Sequence, residues 1–220
     1  MKFNSVFDII GPVMTGPSSS HTAGAVRIGK AARTLFGKEP TWSKVYLYES
    51  FAKTYRGHGT DLAIAGGILG FDTDDERVKN ALDIAKAKGI SIEFFEDERK
   101  VDHPNTARII IGNDFEQLEL VGISIGGGKV EITELNGFAL RLSGNHPAIL
   151  VVHNDRSGAI ASVTQILAKH KLNIGHMEVN RKDVGKEALM AIEVDENISD
   201  DVIEELMGAD HIIRVTKIVS

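Results

Sequence analysis

The stretch AILVVHNDRSGAIASVTQILAKHKLNIGHMEV, residues 148–179, decides the fold of the second half of the chain. AILVVHN is a short apolar run with β-branched residues, which predicts a strand. Ile160, Val163, Ile166 and Leu167 then recur at helical spacing. Residues 173–179 predict a second strand, RKDVGKE (181–187) a hairpin turning at Gly185, and residues 188–194 a third strand. Ser199 sits at the N-cap position of a helix running to Met207, with Asp200 and Asp201 in its first turn, where the macrodipole favours acids. Residues 211–219 predict a last strand. The order βαββαβ is that of the ferredoxin-like unit.

Upstream, SGNHP (143–147) collects turn formers and a proline, which places a domain boundary there: residues 1–143, then 148–220. The first part is less regular. A helix is expected after Ser20, with Val26, Ile28, Ala32, Leu35 and Phe36 on one face. Residues 44–50 alternate like a strand, 61–69 predict a short apolar helix, and Thr73 or Asp74 caps a helix reaching Lys88 and stopped by Gly89. Residues 91–95, 107–111, 118–125 and 129–135 predict strands. The fold class is therefore α+β, a mixed first domain followed by the ferredoxin-like one.

The chain has 220 residues, with 25 Lys plus Arg against 31 Asp plus Glu, a net charge of −6. Without a basic stripe, nucleic acid is not an expected partner. Cysteine is absent, which excludes disulfides, a thiol nucleophile and an iron–sulfur cluster held by this chain alone. No residue cluster is expected to bind a metal. The N-terminal residues lack the apolar core of a secretory leader, and no stretch reaches the ~18 apolar residues of a membrane span. The expectation is a cytoplasmic protein with no membrane partner.

Five stretches can carry chemistry. GPSSSHT (16–22) puts Ser18, Ser19, Ser20 and His21 before a helix, whose free N–H groups suit a carboxylate or phosphate; equally, one serine is an ordinary N-cap. YRGHGTD (55–61) sets His58 between glycines on an exposed loop, as an acid or base or as a His without a role; Thr60 follows it. In DHPNT (102–106), Asp102 orients His103, or the segment is only a turn. GISIGGGKV (122–130) is a hairpin connection or an anion nest, and lacks the context of a dinucleotide fingerprint. HNDRSGAIA (153–161) again places polar residues, His153 and Asp155, with Gly158 before a helix, where an amino acid would find partners for both ends; Asn173 can approach the same place. The plain alternative there is a capped structural helix.

GPSSSHT, RGHGTD, HPNT and SIGGG, in this order, resemble the β subunits of bacterial two-subunit, iron–sulfur-dependent L-serine dehydratases, and the last seventy-odd residues resemble an ACT domain. The resemblance covers nearly the whole chain. It implies an allosteric-substrate-binding-like first domain and an enzyme that converts L-serine to pyruvate and ammonia at a [4Fe–4S] cluster held by a partner α subunit. It implies that His21 and His58 reach the active site, with His58 nearer to proton transfer. Ser18, Ser19, Ser20 and Thr60 would help to hold substrate. For the ACT unit it implies an effector, L-serine, at His153, Asp155, Gly158 and Asn173, and pairing of two such modules into a homodimer. Asp155 and Ser157 depart from the commoner Asn and Pro of serine-binding ACT turns. The rival reading is a non-catalytic ACT-type amino-acid sensor. A regulatory fragment of phosphoglycerate dehydrogenase is disfavoured by the absence of a nucleotide-binding motif.

Overall fold

Alternation of buried and half-buried side chains carries the first sheet. Val45, Leu47, Ala107, Ile109, Ile111, Leu118, Leu120 and Ile132 are all buried, and most residues between them on the same strands are less so. The structure, a computed structural model, describes residues 13–143 and 146–218. Residues 1–12, two residues of the SGNHP turn and Val219 of the predicted last strand lie outside the described residues. The chain forms two compact units, Met1–Asn136 and Gly137–Ser220.

In the first unit a π-helical turn, Ser19–Ala23, leads into α1, Gly24–Phe36. Then come β1 (Trp42–Tyr48), α2 (Glu49–His58), α3 (Thr60–Ile68), a 3₁₀ turn (Glu76–Asn80) and α4 (Ala81–Ala87). Strands β2 (Ser91–Asp97), β3 (Thr106–Gly112), β4 (Gln117–Gly126) and β5 (Lys129–Leu135) follow. Their sheet order is β2–β1–β3–β4–β5. β1 and β2 are parallel, as the α2–α3–α4 crossover between them requires, and the other pairs are antiparallel. Helix α1 lies on the sheet with Ile28 over Gly122, where an added Cβ would stand 2.8 Å from Ile28 Cγ2.

Helix α3 is apolar all round and buried from Ala63 to Ile68, so it needs cover on every side. It meets α1 backbone to backbone. A Cβ on Gly67 would overlap the Val26 carbonyl and stand 2.6 Å from Lys30 N; one on Gly29 would stand 3.1 Å from Ile68 N and overlap the Ile64 carbonyl. Gly29 faces Ile64 and Ile68, while Thr22, one helical stretch earlier, reaches His58; the two helices therefore run in the same direction, with their starts side by side.

Three expectations are corrected. β1 ends at Tyr48, and Glu49, at φ 41°, turns the chain into α2, so the GHG segment is not a loop: Gly57 and His58 complete the helix, and Gly59, at φ 66°, stops it. Helix α2 buries only Phe51 and Tyr55, a stripe too narrow to recognise as a period. The helix expected from Thr73 or Asp74 is split: Asp75 caps a 3₁₀ turn by accepting from Arg77 N, and α4 proper begins at Ala81.

The second unit opens with a strand the sequence reading did not include, β6 (Phe138–Leu142), whose Phe138, Leu140 and Leu142 are buried in alternation. Then follow β7 (Ala148–Asn154), α5 (Ala159–Lys169), β8 (Ile174–Arg181), β9 (Glu187–Val194), α6 (Asp200–Met207) and β10 (Ile212–Ile218). The βαββαβ units form an antiparallel sheet of order β10–β7–β9–β8. Ile149, Val151, Met190, Ile192 and Val194 on one face pack with Val163, Leu167, Val202 and Leu206 of the helices. On β6 and just after it, Arg141 N donates to Glu178, and Ser143 N and Oγ donate to Glu193 at 2.9 and 2.8 Å.

Gly67→Ala is expected to destabilise the chain by about 1–3 kcal/mol, because backbone rather than a movable side chain occupies the space. Gly66→Ala, whose Cβ would meet only Val78 Cγ2 at 3.1 Å, should cost clearly less. Denaturant unfolding of the two variants measures the difference; equal midpoints would remove the glycine contact as a constraint.

Candidate active-site face

The side-by-side starts of α1 and α3 bring the first two motifs together. Ser18, in extended conformation, caps the π-helical turn by accepting from His21 N at 3.1 Å, and Thr22 N donates to the Ser18 carbonyl at 2.9 Å. The wide turn sets the His21 ring between hydroxyls. Nδ1 lies 3.0 Å from Ser20 Oγ and 3.5 Å from Ser18 Oγ, and Nε2 lies 3.0 Å from Ser50 Oγ. The ring stands edge-on to Phe51 at 5.3 Å and to His58 at 5.1 Å, the latter at 89° between planes. Thr22 Oγ1 donates to the His58 carbonyl at 3.4 Å. Burial first, and then the proximity of His58, hold His21 below the ordinary histidine value of 6.5. His21 is therefore a neutral imidazole at neutral pH, beside an exposed His58 at the end of α2.

Ser18, Ser19, Ser20 and His21 are half-buried, on the accessible side of the turn. Thr60, the first residue of α3, is wholly buried, and its hydroxyl has no hydrogen-bond partner among the described residues. The same is true of Ser124, which packs against Gly24 at the start of α1; a Cβ there would stand 2.8 Å from Ser124 Cβ.

The other two motifs form the support. Pro104 presents its carbonyl to the start of α2, accepting from Ser50 N at 3.0 Å and Phe51 N at 3.4 Å. Asn105 N donates to His103 Nδ1 at 3.2 Å, and Thr106 Oγ1 to the His103 carbonyl at 2.6 Å, so DHPNT closes on itself as a turn before β3. Asn105 also ties this turn to β4, its carbonyl accepting from Ser124 N at 3.0 Å and its amide donating to the Ser124 carbonyl at 3.4 Å. Gly127 and Gly128, both at positive φ, make the two-residue hairpin between β4 and β5, and Arg27 of α1 donates to the Gly128 carbonyl at 2.8 Å. All four motifs are thus linked around the starts of α1 and α2. Sequence reasoning missed Ser50 and Arg27; neither has a signal beyond the fold that carries it there.

In the second unit the four expected effector residues do not meet within one chain. His153 is 2% exposed; Nδ1 lies 2.8 Å from the Asn154 carbonyl, and Nε2 is buried without a partner among the described residues. Asp155 accepts from Gly185 N at 2.9 Å and Arg181 Nη1 at 3.1 Å, and these two donors, in that order, hold its carboxyl below the usual range. Gly158, at φ 93°, precedes α5. Asn173 donates to Asp195 at 2.6 Å at the far end of the sheet. His153 pairs with Ala188 and Ile174 with Val194, so about 20 Å of β9 separates the two places.

The second unit is of a known class: residues 148–210 match the ACT domain. Residues 5–134 match the family described as serine dehydratase beta chain, and the chain belongs to that family. It is 66% identical to a probable L-serine dehydratase beta chain of Bacillus subtilis over 99% of both chains, and 33% identical to the L-serine dehydratase beta chain of Peptoniphilus asaccharolyticus over 94% of both. It is 26% identical to the D-3-phosphoglycerate dehydrogenase of Bacillus subtilis, over 81% of this chain and 34% of that protein. An iron–sulfur cluster does not fit the residues present: the chain has no cysteine, and among the described residues no group of three or more His, Asp or Glu converges. No described helix is long and apolar enough to cross a membrane.

The lowered value of His21 has a consequence for stability. The unfolded chain binds that proton more tightly, so the contribution is present above pH 6.5 and is lost as pH falls towards the folded value. His21→Gln should therefore flatten the loss of stability between about pH 7.5 and about pH 5.5. Denaturant midpoints at the two pH values check this, and an unchanged slope contradicts it.

Proposed function

We propose that this chain is the β subunit of a cytoplasmic L-serine dehydratase and furnishes one side of its active site. The observation that carries the reading is the His21–His58 pair, 5.1 Å apart, with serine hydroxyls at both ring nitrogens of His21 where two helices start. Helix N-termini and hydroxyl donors suit the carboxylate of an amino acid. Loss of water from serine needs removal of the α-proton, departure of the β-hydroxyl as water, and a carboxylate held in place meanwhile. His58, exposed at the end of α2, takes the α-proton. Ser18, Ser19 and Ser20, backed by neutral His21, bind the carboxylate, and buried Thr60 orders the start of α3 beneath them. The partner α subunit would hold the [4Fe–4S] cluster, which supplies Lewis-acid polarisation of the leaving hydroxyl when bound.

The ACT unit would bind L-serine as effector at His153, Asp155 and Gly158. Because Asn173 lies at the far end of the sheet, it would join that site only from a second ACT module. Calorimetric titration of the full chain with L-serine tests this part, and an absence of binding heat rejects it.

In the complex reconstituted anaerobically with its partner, His58→Ala should lower kcat for serine deamination at least about a hundredfold, the usual weight of a general acid or base. Turnover near that of the unaltered complex would remove His58 from catalysis. The purified chain alone should make no pyruvate; activity without the partner would overturn the reading.

A further inference from the structure

The start of α2 is built in an unusual way. Glu49, a residue with a side chain, is held at φ 41°, in the left-handed region that costs energy for any residue but glycine. No side chain caps the helix; the Pro104 carbonyl takes the N–H groups of Ser50 and Phe51 instead. That arrangement leaves the Ser50 hydroxyl, which could otherwise serve its own helix end, free to reach His21 Nε2 at 3.0 Å. With Ser20 at Nδ1, both ring nitrogens of His21 are engaged by hydroxyls. A neutral imidazole has one donor and one acceptor nitrogen, and a hydroxyl satisfies either. The ring therefore cannot turn about its axis without breaking both contacts. Its approach to His58 is edge-on, with no nitrogen left to bond to that ring.

We propose that Ser50 is a positioning residue for the serine elimination: by holding Nε2 it fixes the plane of the His21 ring, which stands edge-on to His58. The strained Glu49 and the Pro104 cap are the means by which the chain delivers this hydroxyl, and they give the HPNT segment a task other than orienting His103. The inference rests on the catalytic reading above, and its test separates the two.

The full chain labelled with ¹⁵N at histidine is compared with its Ser50→Ala and Ser50→Thr variants by NMR of the ring nitrogens, and each is assayed after reconstitution with the partner subunit. In the unaltered chain the Nε2 signal of His21 should be that of a hydrogen-bonded ring nitrogen. Ser50→Ala should move it towards that of an unbonded one and lower kcat about tenfold, the weight of one hydrogen bond, with KM changed less than about twofold. Ser50→Thr, which keeps a hydroxyl, should restore the Nε2 signal and most of kcat. Ring signals in Ser50→Ala identical to those of the unaltered chain overturn the proposal, whatever the activity does. A Ser50→Thr variant as impaired as Ser50→Ala also overturns it, because shape rather than the hydroxyl would then matter. His21→Ala is the separate control: full activity there rejects the catalytic reading, while the ring-nitrogen signals still decide the role of Ser50.

Discussion

Two glycines set the geometry on which the rest depends. Gly67 of α3 lies against the backbone of α1, and Gly29 of α1 against the backbone of α3, at separations that leave no room for a Cβ. Because the helices run in the same direction, that contact fixes how their first turns meet. The polar residues before α1 are thereby set beside those before α3, and two stretches that lie far apart in sequence become one surface. The position is costly in conformational freedom, since glycine in a helix interior is worth roughly 1 kcal/mol less than alanine. The buried apolar faces of Val26, Ile28, Ile64 and Ile68 offset that cost.

The site so formed is electrically quiet on the His21 side. Burial of the His21 ring among hydroxyls and Phe51 disfavours its charged form, and the proximity of His58 disfavours it further. The arrangement sets a fixed hydrogen-bonding ring beside an exposed one. It also explains why the hydroxyls outnumber what capping needs: Ser18 caps the turn, whereas Ser20 and Ser50 bracket His21.

The second unit was legible in almost every element, because its strands alternate, its helices show a clean apolar face and its turns carry Gly158, Gly185 and Ser199 where the geometry wants them. The strands of the first unit were legible for the same reason. The start of α2 was not: nothing local in Tyr48-Glu49-Ser50 announces a positive φ at a glutamate, and the cap that sustains it comes from Pro104, far along the chain. The four motifs could be picked out as unusual, but their meeting could not, since it follows from the helix contact and from the Asn105–Ser124 link. Asn173 shows the opposite error. Its proximity to His153 was inferred from the succession of elements, whereas the antiparallel register sends it to the other end of the sheet.

The central claim is that His21 and His58 form one unit in this chain before any partner binds. Selective labelling of the histidine rings in the full chain, followed by a nuclear Overhauser measurement between them, tests it most directly. Centroids 5.1 Å apart predict clear cross-relaxation between the two rings. Well-resolved ring signals from both residues, with no cross-relaxation between them, would contradict the account.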